Sequence, residues 1–300
     1  MSRDAHPELP EFDYIRPTSL VEASQFLAQH AGEARPLLGG TDIFVRMRDG
    51  FWHDQYLVDI KKLDGTDDLN FDLANGLTIG AAANMNRVMQ MKACQDYFPA
   101  LEQACRSVAS YQLRTRATIV GNICNASPAG DTIGACLLYE GILQVHGVNG
   151  FREVPLAGFF LGPGKTKLQP GDIVTKIILP TPPVGSTGVY IKLGRNTWSD
   201  LSIVGVTALG CPDPTTASGF RMRVALASVA PTPLEVLDIQ KALADNPLSI
   251  DSIKLAAKLA QQACNPIDDV RGSARYRKLM VARLTEKALK LTWNKLQERQ

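Results

Sequence analysis

Short apolar runs alternate along the chain with stretches in which apolar positions recur every three or four residues. Ser19-Leu-Val-Glu22 has the form of a capping box, and Leu20, Ala23, Phe26 and Leu27 follow at helical spacing, with Gly32 as the stop. Arg35–Leu38 and Leu57–Ile60 read as short strands, so the first part of the chain is a small α/β unit. Asn75-Gly76 and Asn149-Gly150 each sit between two short runs, Asn70–Leu73 with Leu77–Gly80 and Ile142–Val145 with Phe151–Val154, and predict hairpins. Helices are expected around Asn86–Cys94 and Phe98–Val108, and a strand over Ile173–Leu179. Pro180-Thr-Pro-Pro183 then makes the sharpest boundary. Beyond it come three strands, Gly188–Leu193, Ser202–Leu209 and Arg221–Val229, and two closing helices, Ser249–Cys264 and Gly272–Lys295. The expected division is 1–62, 63–182 and 183–300, and the class is α+β.

Composition narrows what such a chain can do. Of 300 residues, 45% are hydrophobic and 21% charged, which excludes a disordered, collagen-like or coiled-coil protein. Thirty-two basic against 30 acidic residues leave a net charge of +2, too little for a protein that lives on nucleic acid. No apolar run is long enough to cross a bilayer. Met1–Glu8 lacks the apolar core of a secretory signal, so a cytoplasmic location is expected. The six cysteines, Cys94, Cys105, Cys124, Cys136, Cys211 and Cys264, show neither CxxC nor zinc nor iron–sulfur spacing. They read as small buried hydrophobes, and no metal site is expected on this chain.

Two glycine-containing segments carry the chemistry. In Leu37-Leu-Gly-Gly-Thr-Asp-Ile43 a strand runs into adjacent glycines, whose missing Cβ atoms let the backbone approach a ligand and turn successive N–H groups toward an anion. The same residues also suit an ordinary tight turn. No GxGxxG and no GxxxxGK[ST] occurs. The second segment, Ala117–Asp131, threads Ile119, Val120 and Ile123 among Asn122, Asn125 and Asp131. That mixture predicts a semi-buried loop whose polar groups meet an internal polar partner, either a large cofactor or a hydrogen-bonded crossover between sheets.

Leu38-Gly-Gly-Thr-Asp-Ile43 taken together with Thr118-Ile-Val-Gly-Asn-Ile-Cys-Asn-Ala-Ser-Pro-Ala-Gly-Asp131 resembles the paired FAD-binding signatures of the medium subunits of molybdenum hydroxylases, the xanthine dehydrogenase and carbon monoxide dehydrogenase flavoprotein family. Phe12–Pro17, Leu77–Ala81, Gly171–Val174, Ile191–Arg195 with Asp200, and Asp269–Ser273 with Tyr276-Arg277 extend the likeness over nearly the whole chain. The resemblance implies a two-subdomain FAD-binding domain of the vanillyl-alcohol-oxidase/PCMH type, followed by a C-terminal domain of a three-stranded antiparallel sheet with helices. It assigns Leu37, Leu38, Gly39, Gly40, Thr41, Asp42 and Ile43 to the pyrophosphate. Ala117, Thr118, Gly121, Asn122, Cys124, Asn125 and Asp131 fall to the ribityl, phosphate and adenosine portions. Ile173 and Val174 go to the adenine side, and Lys192 to the vicinity of the flavin ring. Where the family carries Gly-Gly before Asn, this chain has Val120-Gly121, and Val108 takes the place of an aromatic that shields the flavin in some relatives. Arg114 and Arg116 read as phosphate-side charges, partner contacts or solvated surface.

The function so implied is electron transfer within a multisubunit molybdenum hydroxylase. Molybdopterin and [2Fe–2S] clusters are expected only on partner chains, a large and a small subunit, in a heterotrimer or a dimer of heterotrimers. No catalytic residue is assigned. A stand-alone FAD-dependent oxidoreductase and a flavin-free assembly subunit stay open. Of the histidines His6, His30, His53 and His146, none lies beside a candidate segment to serve as the base a stand-alone enzyme needs, and His146 reads as structural.

Overall fold

The computed structural model describes residues 8–196 and 200–298. His6 and most of the segment read for a leader lie outside these residues. The first unit runs β1 (Asp13–Ile15), α1 (Leu20–Gln29), β2 (Ala34–Leu37), α2 (Ile43–Arg48), β3 (Tyr56–Asp59). Its strands form a parallel sheet in the order β1-β3-β2, with Leu37 opposite Asp59 at the end of β2. The Ser19 hydroxyl accepts from the Glu22 amide and starts α1, which buries Leu20, Ala23 and Leu27. The Glu22 carboxylate, however, accepts from the amide and hydroxyl of Thr18, one residue earlier than a capping box requires. Helix α2 was not legible in the pattern.

The second unit opens with the hairpin β4 (Leu69–Asp72) and β5 (Gly76–Gly80). Six helices follow: α3 (Met85–Gln90), α4 (Lys92–Tyr97), α5 (Pro99–Ser107), α6 (Tyr111–Arg114), α7 (Ile119–Asn125) and α8 (Ile133–Leu138). The single helix expected over Asn86–Cys94 is divided because Met91 is extended. The unit closes with β6 (Ile142–Gly147), β7 (Gly150–Pro155), the small ribbon β8 (Phe160–Gly162) and β9 (Lys165–Thr166), and β10 (Ile173–Leu179). Five strands pair antiparallel in the order β4-β5-β10-β6-β7. Phe98, Leu101, Ile119, Ile123, Ile133 and Leu143 fill a core that also takes in Leu20 and Leu27 of α1, so the first two units share one apolar interior.

Beyond the prolines, β11 (Thr187–Leu193), β12 (Val204–Pro212) and β13 (Phe220–Ala227) form the expected antiparallel meander. A fourth strand of two residues, β14 (Leu234–Glu235), is added at its edge, where a proline-bounded stretch too short to show alternation returns along β13. Helices α9 (Leu237–Ala244), α10 (Ile250–Ala263) and α11 (Ala274–Gln297) cover this sheet. Val206, Val224, Ile239, Ile253, Val281 and Ala288 make its separate core. The two closing helices expected from the sequence correspond to α10 and α11, and α9 is additional.

Candidate functional site: a glycine-lined cleft

Strand β2 is the edge of the parallel sheet, and its carboxyl end delivers the chain into Leu38–Asp42, where open α/β sheets present ligand sites. A Cβ on Gly39 would lie 2.1 Å from the Arg116 carbonyl oxygen and 3.3 Å from the Ala117 nitrogen. Only glycine lets this turn rest directly on the start of the second segment. Gly40 has φ +74°, and a Cβ there would meet the Phe44 ring at 2.6 Å. Among the described residues, no protein acceptor is recorded for the amides of Gly39, Gly40, Thr41 and Asp42. A run of unsatisfied N–H groups beside a cleft is a binding element for an anion that needs no lysine or arginine.

The second segment is a helix and a turn rather than a continuous loop. Thr118 caps α7, its hydroxyl accepting from the Gly121 amide at 3.0 Å. Ile119, Val120 and Ile123 are buried, which explains the apolar residues that a surface loop would not need. Val120 is 1% exposed, so the Cβ that departs from the family's Gly-Gly is absorbed by the core. Gly121, Asn122, Cys124 and Asn125 line the cleft. The Asn122 Oδ1 accepts from the Thr132 hydroxyl at 2.9 Å, which fixes the amide's orientation. After left-handed Ala126 the chain turns to Asp131, 6% exposed. Its Oδ1 accepts from the Tyr190 hydroxyl at 2.5 Å and its Oδ2 from the Lys192 Nζ at 2.8 Å. Desolvation pushes the Asp131 carboxyl up, against the pull of Lys192 and Tyr190, while burial and the Asp131 charge push the Tyr190 hydroxyl well up.

The two segments converge on one cleft of about 570 Å³, within the range of small-molecule sites. Leu38–Ile43, Ala117, Thr118, Gly121, Asn122, Cys124, Asn125, Asp131, Ile173 and Val174 all line it. Two candidates do not. Leu37 is 3% exposed and packs with Met47 and Leu57, because it is still an inward residue of β2. Lys192 reaches the site only through Asp131 and the Ser107 carbonyl, to which its Nζ donates at 3.1 Å. Arg114 is neither surface nor a phosphate-side charge: it is 7% exposed and bonded to main-chain carbonyls. Arg116 is exposed, but its carbonyl is the platform on which Gly39 rests.

Sequence reasoning passed over Ala109 and Leu113 on one wall, Gln169 and Pro170 on another, and Leu201 at the rim. Only the Pro170-Gly171 turn carried a readable signal. Asp172 is held there by Arg152, whose Nη1 donates to it at 2.8 Å, and by the Gln169 amide at 2.6 Å. Among the described residues no cluster of three His, Cys, Asp or Glu could hold a metal, and no helix is long and apolar enough to cross a membrane.

Comparison with known proteins identifies the chain's family. Residues 10–182 match the FAD binding domain in molybdopterin dehydrogenase, and residues 189–292 match the CO dehydrogenase flavoprotein C-terminal domain. The chain belongs to this flavoprotein family. It is 30% identical over 284 residues to the carbon monoxide dehydrogenase medium chain of Hydrogenophaga pseudoflava, covering 95% of this chain and 98% of that one. It is 28% identical over 277 residues to the xanthine dehydrogenase FAD-binding subunit of Escherichia coli O157:H7, covering 92% and 94%. A solved structure of the Hydrogenophaga pseudoflava carbon monoxide dehydrogenase superposes with a TM-score of 0.91 over 96% of this chain and 99% of that one. The chain is therefore an oxidoreductase flavoprotein with an FAD-binding domain followed by the flavoprotein C-terminal domain. The cleft's chemistry fits the cofactor: a double-glycine turn with unpaired amides suits a diphosphate, and asparagine and buried carboxylate suit sugar hydroxyls.

Proposed function

We propose that this chain is the FAD-carrying electron-transfer subunit of a multisubunit molybdenum hydroxylase. In this reading it receives electrons from the iron–sulfur clusters of a small subunit, which draw them from a molybdopterin centre on a large subunit, and hands them to an external acceptor. A heterotrimer or a dimer of heterotrimers in the cytoplasm is the matching assembly, with FAD subdomains over 1–62 and 63–182 and a C-terminal flavoprotein domain over 183–300. Bound FAD supplies the redox chemistry, exchanging single electrons with a cluster and pairs with an acceptor.

The chain's own residues bind and orient. The amides of Gly39–Asp42 donate to the diphosphate. Asn122, Asn125 and Asp131 meet the hydroxyls and phosphate edges, while Ile173 and Val174 flank the apolar adenine face. Tyr190 and Lys192 keep Asp131 in place from β11, so the C-terminal domain helps to build the floor of the site. The observation that carries this reading is the contact between Gly39 and Arg116–Ala117, which joins two distant stretches of chain around one cleft.

The visible spectrum of the purified chain, with acid release of its cofactor, tests the reading. Flavin absorbance with one FAD per chain is expected. A colourless protein that does not take up FAD on reconstitution would end it, and a flavoprotein that never co-purifies with an iron–sulfur or a molybdenum chain would favour a stand-alone oxidoreductase.

A further inference from the structure

The cleft wall between α5 and α6 is built in an unusual way. Three successive carbonyls, those of Ser107, Val108 and Ala109, all accept hydrogen bonds from cations. Lys192 Nζ donates to Ser107 at 3.1 Å, and Arg114 Nη1 donates to Val108 at 2.7 Å and to Ala109 at 3.2 Å. Ala109 sits at φ +40°, a left-handed conformation that is unfavourable for a non-glycine residue and persists only when the surroundings impose it. Val108 and Ala109 both line the cleft.

Arg114 is itself anomalous. It is buried, and among the described residues no carboxylate is recorded as pairing with it. Its remaining partner is the Asn86 Oδ1, at 3.2 Å from Nε, and Asn86 in turn donates from Nδ2 to the Tyr111 carbonyl at 2.9 Å. A lone buried guanidinium is costly unless its donors are all used. Here Nη1 is spent on one short stretch of backbone, the Val108 and Ala109 carbonyls, and Nε on Asn86. Capping the carboxyl end of α5 explains part of the arrangement. It does not explain why the same guanidinium reaches past the helix end to hold Ala109 in its left-handed state against the cleft.

We propose that Arg114 is a positioning residue for the flavin: it holds the Val108–Ala109 peptide in the shape that forms the cleft wall, and this wall contacts the bound cofactor. The proposal rests on the FAD reading above. The Val108 and Ala109 carbonyls are each engaged by Arg114. For the Ala109 amide no acceptor is recorded among the described residues, which leaves an N–H donor at the cleft.

The test uses the full chain carrying Arg114→Gln, Arg114→Lys or, as a control, Lys92→Gln on the exposed face of α4. FAD affinity, the visible circular dichroism of bound flavin and its midpoint potential are measured, with far-ultraviolet dichroism to confirm folding. Loss of two charged hydrogen bonds from the wall should weaken FAD binding on the order of ten-fold and alter the flavin dichroism and potential in Arg114→Gln. Arg114→Lys, which keeps the charge but not the forked grip, should fall between, and Lys92→Gln should match wild type. A helix cap with no bearing on the cofactor would leave all three flavin readouts at wild-type values in both folded Arg114 variants, and that result overturns the proposal. Should Arg114→Gln fail to fold, unchanged flavin signals in Arg114→Lys overturn it alone. A wild-type chain that binds no FAD fails the underlying reading instead, which separates the two outcomes.

Discussion

In the turn from Leu38 to Asp42 the cleft is lined by backbone, and the side chains that matter are the ones that are missing. From Thr118 to Asp131 the opposite holds: a capped helix turns its apolar residues inward, and the cleft is met by asparagine and a carboxylate held by Tyr190 and Lys192. The first stretch presents amides with no recorded protein acceptor among the described residues, beside the Thr41 hydroxyl and the Asp42 carboxylate. The second adds acceptors and fixes them from another domain. A diphosphate needs donors and sugar hydroxyls need both kinds of partner, so under the proposed function the division of labour would follow the two halves of the cofactor. It also means that the two stretches should fail differently when altered.

The largest effect is expected at Asp131. Asp131→Ala leaves Lys192, 13% exposed in its side chain, without a counter-charge, and breaking a buried pair from one side costs about 3–5 kcal/mol. The double variant Asp131→Leu with Lys192→Met should recover most of that loss in urea unfolding. A single variant that costs below about 1 kcal/mol would show that the pair does not anchor this stretch.

Next comes Gly39→Ala. Its Cβ would meet the Arg116 main-chain carbonyl at 2.1 Å, an obstacle that cannot rotate away, so the glycine turn and the stretch leading into α7 must separate. About 1–3 kcal/mol of stability and most of the bound FAD should be lost. Stoichiometric flavin with an unchanged Tm would show that the contact does not close the cleft. Gly40→Val is a poorer probe, since φ +74° and the Phe44 ring at 2.6 Å strain the turn before any ligand is met.

The same contrast governs what could be read beforehand. The glycine turn was legible because its meaning lies in residues with no side chain, and β10 was legible because Ile173–Leu179 is a bounded apolar run. The helix α7 was not, since Gly121, Asn122 and Asn125 are weak helix formers and only the Thr118 cap and the buried face of Ile119, Val120 and Ile123 hold it. Helix α2 follows the turn with Ile43, Phe44 and Val45 in succession, a run without helical period. The position of Lys192 depends on how β11 lies against Asp131, a tertiary fact that no local pattern encodes. Arg114 differs from its sequence reading for the same reason: charged residues are rarely buried, and nothing nearby in sequence announces that its guanidinium reaches the Val108 and Ala109 carbonyls.

A smaller effect separates the rim from the floor. Asp200 lines the cleft mouth, and the Arg195 hydrogen bonds hold its carboxyl at about 2, below its ordinary 3.8. Because the folded value is the lower one, this contribution is present above about pH 4 and is lost as pH falls toward 2. Arg195 is 54% exposed, so salt screens the pair. Tm in Asp200→Asn should lie slightly below wild type at neutral pH and converge with it as the solution is acidified, and more weakly so at high salt. Parallel curves would mean that Arg195 does not hold Asp200.

The smallest effect is expected at Thr41, and it is the one that most sharpens the contrast. Thr41 is half-buried in the glycine turn, and among the described residues no hydrogen bond to its hydroxyl is recorded. If amides do the binding there, Thr41→Ala leaves every donor in place and changes stability by less than about 0.5 kcal/mol, with FAD retained. Equilibrium unfolding and flavin content measure both. Loss of FAD in Thr41→Ala, with the fold intact, would put a side chain at the centre of the first stretch and remove the distinction between a turn that grips with its main chain and a helix that grips with its side chains.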